Sequence, residues 1–329
     1  MNTWEVYGHD WAVEMLQRHV ANGTLRHAYL LTGPASVGRR TLALRLAQAL
    51  NCANPSAPGV PCRVCRVCKQ IESGQFMDLM VIQAENEGGI LKVDQIREVT
   101  KFLSLRPYQS SYKIVLFLRF QEANASAQNA LLKTLEEAPG YAVLLLTADS
   151  AEQLLPTIVS RCEILRLRPL ALAEVKNFLI LRGVSDEKAE FLAHLAGGRP
   201  GYALRLSQDE KALAFRAEKL EDLHRLLADN LGDRFHYAEK LAKDKDVFRQ
   251  TLVIWLSYWR DMLLNTSGAS AALTNIDRAE EIEGLGSRVD RSLARAITVE
   301  IENSIERLDR NLNARLLAEI TLMDWPRIK

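Results

Sequence analysis

No charge of one sign dominates this chain: 42 Lys and Arg stand against 41 Asp and Glu over 329 residues, a net charge of +1. A stand-alone nucleic-acid binder shows a basic excess or a dense basic stripe. Neither is present, so any DNA contact is expected to be shared with partners. Long hydrophobic runs are missing too. Stretches such as Ile114–Leu118 and Ala142–Leu146 are strand-sized, far short of the roughly 20 residues a membrane span needs. The opening MNTWEVYGHDWAVEML has no basic segment followed by an apolar one, so neither a signal peptide nor a membrane role is expected, and a cytoplasmic location is. Internal repeats and low-complexity tails are not found. Cysteine is scarce but concentrated: four of five lie at 52, 62, 65 and 68, with one apart at 162. In a reducing cytosol such a cluster reads as a metal site before it reads as disulfides.

What the chain does contain is ample apolar material, 48% against 25% charged residues, enough for two or three domains at this length. The first half alternates two periods. Short apolar strands are predicted at His27–Thr32, Asp78–Gln83, Lys113–Leu118 and Ala142–Thr147, with helical spacing over 40–51, 93–105 and 124–137, the last stopped by Pro139-Gly140. Nearly continuous apolar strands separated by helices predict a parallel sheet covered on both faces. Beyond Pro169 the strands cease. Residues 171–207 read as three short helices, broken at Gly183 and at Gly197–Gly201, and the remainder is helical. Two apolar stripes there predict bundle packing: Leu252, Trp255, Leu256, Trp259 and Leu263, and then Ile297, Ile301, Ile305, Leu308, Leu312 and Leu316.

Residues 33–41, Gly-Pro-Ala-Ser-Val-Gly-Arg-Arg-Thr, follow the first predicted strand. Gly33-x4-Gly38 fits the phosphate-binding pattern G-x-x-x-x-G-K-[ST], a spacing that by itself also fits a loop that never held a nucleotide. In a working loop, backbone N–H groups at a helix N-terminus cradle the phosphates. A Lys meets the β- and γ-phosphates, and the next hydroxyl ligates Mg²⁺. Here Arg39 occupies the Lys position and Arg40 the hydroxyl position, with Thr41 one residue too late. Arg39 keeps the charge in a longer, planar group; Arg40 cannot ligate a cation. The strand Lys113–Leu118 also ends without the acidic residues that would hold Mg²⁺, Glu122 being the first carboxylate beyond it. Gly33, Gly38, Arg39, Arg40 and Thr41 are therefore expected to form a vestigial loop that does not hold Mg·ATP tightly, though weak anion binding remains open.

Cys52-x9-Cys62-x2-Cys65-x2-Cys68 offers four thiolates, enough to close a tetrahedral structural Zn²⁺ site. Iron–sulfur ligation is chemically open, but no other feature points to redox work. Arg63, Arg66 and Lys69 make only a modest basic patch, so the module is expected to be architectural. Cys162 reads as a small packing residue.

Asn129-Ala-Leu-Leu-Lys-Thr-Leu-Glu-Glu137, followed by Ala138-Pro139 and then Leu155-Pro-Thr-Ile-Val-Ser-Arg-Cys162, resembles bacterial clamp-loader AAA+ subunits, which open the sliding clamp for DNA polymerase III. His27-Ala-Tyr-Leu-Leu, Val93-Asp-Gln-Ile-Arg97 and Tyr112-Lys-Ile-Val are similar to that family as well. The resemblance covers about residues 4–207 closely and the helical tail by length and pattern. It implies an α/β AAA+ parallel-sheet domain at 1–168 with a zinc insertion at 52–68, a helical lid at 169–208 and an all-α collar at 209–329. It also implies γ/τ and δ subunits, a sliding clamp and primed DNA as partners.

Two types within the family fit: the ATP-hydrolysing γ/τ type and the δ′ type, whose ATP site is often decayed. The altered loop and missing acidic pair favour δ′; a γ-type ATPase with an altered but active site is the alternative. The ATPase type also carries a Gly-Ser-x-Arg segment whose arginine meets the bound nucleotide. The matching stretch here is Gly198-Arg-Pro-Gly201, which puts Gly201 in the arginine's place. The family's Ser-Arg-Cys motif is kept at 160–162, and the resemblance implies that Arg161 reaches a neighbouring subunit's ATP site in trans. No independent catalysis is expected, although the chain would belong to the DNA-directed DNA polymerase holoenzyme.

Overall fold

The computed structural model describes residues 2–86 and 88–328. Its contacts divide the chain into two compact units: residues up to Phe178 together with Gly198–Tyr202, and Leu179–Gly197 together with Ala203 onward.

The first unit is an α/β layer structure. In chain order it runs α1 (Asp10–Ala21), β1 (Ala28–Thr32), α2 (Arg39–Asn51), α3 (Arg66–Glu72), β2 (Leu79–Ile82), α4 (Val93–Ser104), β3 (Lys113–Phe117), α5 (Ala125–Glu136), β4 (Ala142–Ala148), α6 (Pro156–Val159) and β5 (Glu163–Arg166), and α7 (Leu172–Ile180) begins within it. The five strands are parallel in the order β2-β3-β4-β1-β5. The central strands β1, β3 and β4 are buried along their whole length, which is why they read as unbroken apolar runs. Their side chains alternate between two cores. Tyr29, Leu31, Ile114, Leu116, Val143 and Leu145 pack with α1 and α2; Leu30, Val115, Phe117, Leu144 and Leu146 pack with α4 and α5. This is the helix-covered parallel sheet expected from the sequence, with one strand more than its periodicity predicts. β5 is a four-residue edge strand with only Leu165 fully buried, so Glu163 and Arg166 dilute the apolar signal.

The second unit is helical: the end of α7, α8 (Asp186–Ala196), most of α9 (Pro200–Gln208), α10 (Glu210–Ala228), α11 (Leu231–Leu241), α12 (Lys245–Thr266), α13 (Ala279–Gly286), α14 (Arg291–Asp309) and α15 (Ala314–Met323). Trp255 and Trp259 of α12 meet Trp325 edge-on at centroid distances of 4.9 and 5.8 Å. The second predicted stripe needs correcting. It runs through Ile297, Ile301 and Leu308, then stops, because α14 ends at Asp309 and Asn311 turns left-handed at φ 62°. Leu312 and Leu316 are exposed; the helical period does not continue through that turn.

Arg234 of α11, only 3% exposed, fastens the end of this bundle. It donates to the carbonyls of Leu226 (2.8 Å), Leu322 (3.2 Å), Trp325 (2.6 Å) and Pro326 (2.8 Å). Burial lowers its pKa from the ordinary arginine value, and these carbonyls take the place of lost water. Removing the guanidinium strands several buried acceptors, each costing about 1–3 kcal/mol if left unpaired. Arg234→Met is expected to lower stability by about 3 kcal/mol after partial relaxation, measured as a shifted urea midpoint of the helical unfolding phase. An unchanged midpoint would contradict the assignment.

Candidate nucleotide loop, arginine and metal sites

β1 delivers the chain into Gly33, and α2 leaves the loop from Gly38. Both glycines adopt backbone angles closed to other residues, φ 141° and 119°. A Cβ at Gly33 would lie 2.1 Å from the Leu167 carbonyl oxygen, so the turn tolerates no side chain there. The loop thus has its expected place between strand and helix, and Arg39 has taken a partner within the chain. Arg39 is drawn inward, its side chain 8% exposed, and its Nη2 donates to Asp149 Oδ1 at 2.7 Å. Asp149 directly follows β4, and its backbone carbonyl also accepts from Gly33 N–H at 3.1 Å. Arg40 and Thr41 are exposed.

The loop is also met at Ser36 by the backbone of Gly201. Gly201 donates its N–H to the Ser36 carbonyl at 3.0 Å, and a Cβ on Gly201 would stand 2.9 Å from that oxygen. The missing side chain at Gly201 is what lets its backbone come this close to Ser36. His9 Nε2 lies 3.1 Å from the Val37 carbonyl; burial lowers its pKa, partly opposed by that hydrogen bond.

The end of β3 is closed in a related way. Arg119, left-handed at φ 51°, donates its N–H to Thr147 Oγ1 at 2.9 Å and its Nε to Glu122 Oε1 at 2.7 Å. Glu122 also accepts from Gly88 N–H. The first carboxylates after β3 and β4, Glu122 and Asp149, are each bound to an arginine. Sequence reading missed the partner of Arg39; its one local signal is an acidic residue placed directly after the apolar β4 run.

Arg161 lies just past the single turn α6. Its Nη1 donates to the Thr157 carbonyl at 2.8 Å, and its Nη2 to Glu136 Oε1 at 2.5 Å. The side chain is about one-third exposed. Glu136 belongs to the segment that carried the family resemblance, yet nothing in that segment marks it for a role. Cys162 packs against the α4–α5 core, and burial pushes its thiol up to about 12.

The four clustered cysteines come together. Cys52, Cys62, Cys65 and Cys68 place their sulfurs within 4.8 Å of one another, compatible with one tetrahedral ion at about 2.3 Å per Zn–S bond. Backbone N–H groups of Cys62, Cys65 and Cys68 point at the sulfurs of Cys52, Cys62 and Cys65 at 3.3 to 3.4 Å, an arrangement that favours thiolates. Burial opposes ionisation of Cys65, but hydrogen bonds from Cys68 and Ala53 outweigh it and bring that thiol to about 6. Burial pushes Cys68 and Cys52 up, the opposite demand that a bound cation would offset. The cluster can hold a metal ion such as zinc. Around it, Trp4 Nε1 donates to the Gly59 carbonyl at 2.8 Å, Arg63 pairs with Glu5, and Gln48 of α2 donates to the Cys68 carbonyl at 2.8 Å. With an ion held there, its removal would leave thiols crowded against one another, so a strong chelator is expected to lower the melting temperature of the first unit by several degrees. One equivalent of Zn²⁺ per chain should restore it. A chain with no bound metal by elemental analysis and no response to chelator would contradict a metal site here.

Comparison with known proteins agrees with this architecture. The family profile "DNA polymerase III, delta subunit" matches residues 8–171. The chain is 32% identical over 307 residues to DNA polymerase III subunit delta' of Pseudomonas aeruginosa, spanning 91% of each chain. It is 29% identical over 314 residues to the Bacillus subtilis subunit of the same name, spanning 93% of each. The likeness to DNA polymerase III subunit tau of Escherichia coli, 33% over 175 residues, covers 53% of this chain and 27% of that one. A match above 30% identity to a delta-prime subunit across 91% of each chain settles membership: the chain belongs to the DNA polymerase III delta-prime family of clamp-loader subunits.

Proposed function

We propose that this chain is a largely non-hydrolysing wedge of the clamp loader that lends Arg161 in trans to a neighbouring γ/τ ATPase site. The observation that carries the first half is the Arg39–Asp149 ion pair. The cation that would meet the β- and γ-phosphates is neutralised by the protein's own carboxylate, and Gly201 rests on the loop at Ser36. Mg·ATP would have to break that pair, displace the covering backbone and find Mg²⁺ ligands where Arg40 and Arg119 stand. The γ-type alternative needs Arg39 to leave Asp149, which it holds through Nη2 alone, and needs a carboxylate at the end of β3, where Glu122 is held by Arg119.

Arg161 supports the second half. An always-charged, forked donor suits the charge that develops on a transferred phosphoryl group, and such fingers are worth about 10³- to 10⁵-fold in rate. In this reading residues 169–208 form the lid, 209–329 the collar, and the four cysteines a structural Zn²⁺ knob. The partners are γ/τ and δ, with the sliding clamp and primed DNA reached inside the assembled, cytoplasmic machine.

Arg161→Ala, in a loader rebuilt from purified subunits, should slow hydrolysis at the adjoining γ/τ site by about 10³-fold while leaving assembly intact. Single-turnover quench would show one site's share of the burst lost, with size-exclusion chromatography as the assembly control. An unchanged burst would remove the finger from the account.

A further inference from the structure

α5 grips the segment that carries Arg161 at two places. At its start, Gln128, 7% exposed, donates to the Ala123 carbonyl at 3.0 Å and accepts from the N–H of Leu155, the residue that opens α6, at 2.9 Å. At its end, Glu136 accepts from Arg161 Nη2. The short turn α6 thus has its backbone seated by one α5 side chain and its emerging guanidinium held by another. Pro156 at the first position of α6 and the N–H groups of Arg161 and Cys162, which bond back to Ile158 and Val159, stiffen the same turn.

A guanidinium presents five N–H donors in one plane. Among the described residues two are used, one on the Thr157 carbonyl and one on Glu136, which leaves three for an anion. The grip fixes the direction of a long, rotamer-rich side chain without using up its fork. Both partners are partly exposed, Arg161 by 34% and Glu136 by 50%, and exposed pairs add little to stability. What a contact of this kind supplies is orientation.

From this geometry we infer that Glu136 is the positioning residue for Arg161, aiming the guanidinium before the neighbouring subunit presents its phosphate. The inference rests on the trans-finger reading. Glu136 touches no substrate; it acts through Arg161.

The test uses the reconstituted loader with wild-type chain, Glu136→Ala, Glu136→Asp, Arg161→Ala and the Glu136→Ala/Arg161→Ala double variant, each first shown to assemble and to keep its melting temperature. Glu136→Ala should lower kcat at the adjoining site by about three- to tenfold with the KM for ATP unchanged. Glu136→Asp should recover part of that loss, and the double variant should equal Arg161→Ala alone. Three results would overturn the inference while leaving the finger standing: Glu136→Ala indistinguishable from wild type, an equal loss when Arg161 is already alanine, or a faster rate, which would mean that the pair masks the arginine rather than aims it. Wild-type rates from Arg161→Ala would overturn the finger itself and this inference with it.

Discussion

The ion pair between Arg39 and Asp149 is the constraint on which the first unit turns. A guanidinium drawn to 8% exposure needs a counter-charge. In a nucleotide-binding loop of this shape a phosphate supplies it; here a carboxylate at the end of β4 does. With that charge met internally, the loop keeps the fold that Gly33 and Gly38 give it. It can also lie under the backbone of Gly201, whose missing side chain allows the 3.0 Å contact with Ser36. The paired Arg119 and Glu122 close the neighbouring strand end.

α2 carries this rigidity outward. Its first residue holds Asp149, and further along, Gln48 reaches the backbone of Cys68 while Asn51 bonds to both backbone groups of Tyr112. One helix therefore ties the loop at residues 33–41, the cysteine cluster and the entry to β3 into a single body. On the opposite face of the sheet α5 performs a similar service for the turn bearing Arg161. Under the proposed function, a loop closed on its own carboxylate and an arginine held by Glu136 would suit a fixed member of an assembly in which other subunits respond to nucleotide.

Much of this was legible in the sequence because it is local. The departure from the phosphate-loop pattern lies in nine adjacent residues, the metal cluster is a spacing, and the central strands announce themselves by unbroken apolar runs. What escaped is set by distant partners or weak local signals. Arg39 and Asp149 are 110 positions apart, so the sequence shows a changed residue without showing what it binds. Glu136 sat within a quoted motif, yet its pairing with Arg161 depends on how α5 and α6 pack. β5 escaped because an edge strand with one fully buried side chain has no clear period. Leu312 and Leu316 were misread because spacing cannot see the left-handed Asn311 that interrupts the helix.

The most direct measurement is a calorimetric titration of the purified chain with Mg·ATP, read at protein concentrations where a dissociation constant up to about 1 mM is detectable. If Asp149 and the covering backbone occupy the place of the phosphates, the wild-type chain gives no saturable heat. Stoichiometric, Mg²⁺-dependent binding in the micromolar range would contradict the account, because it would require Arg39 to leave Asp149 and the loop to open for nucleotide.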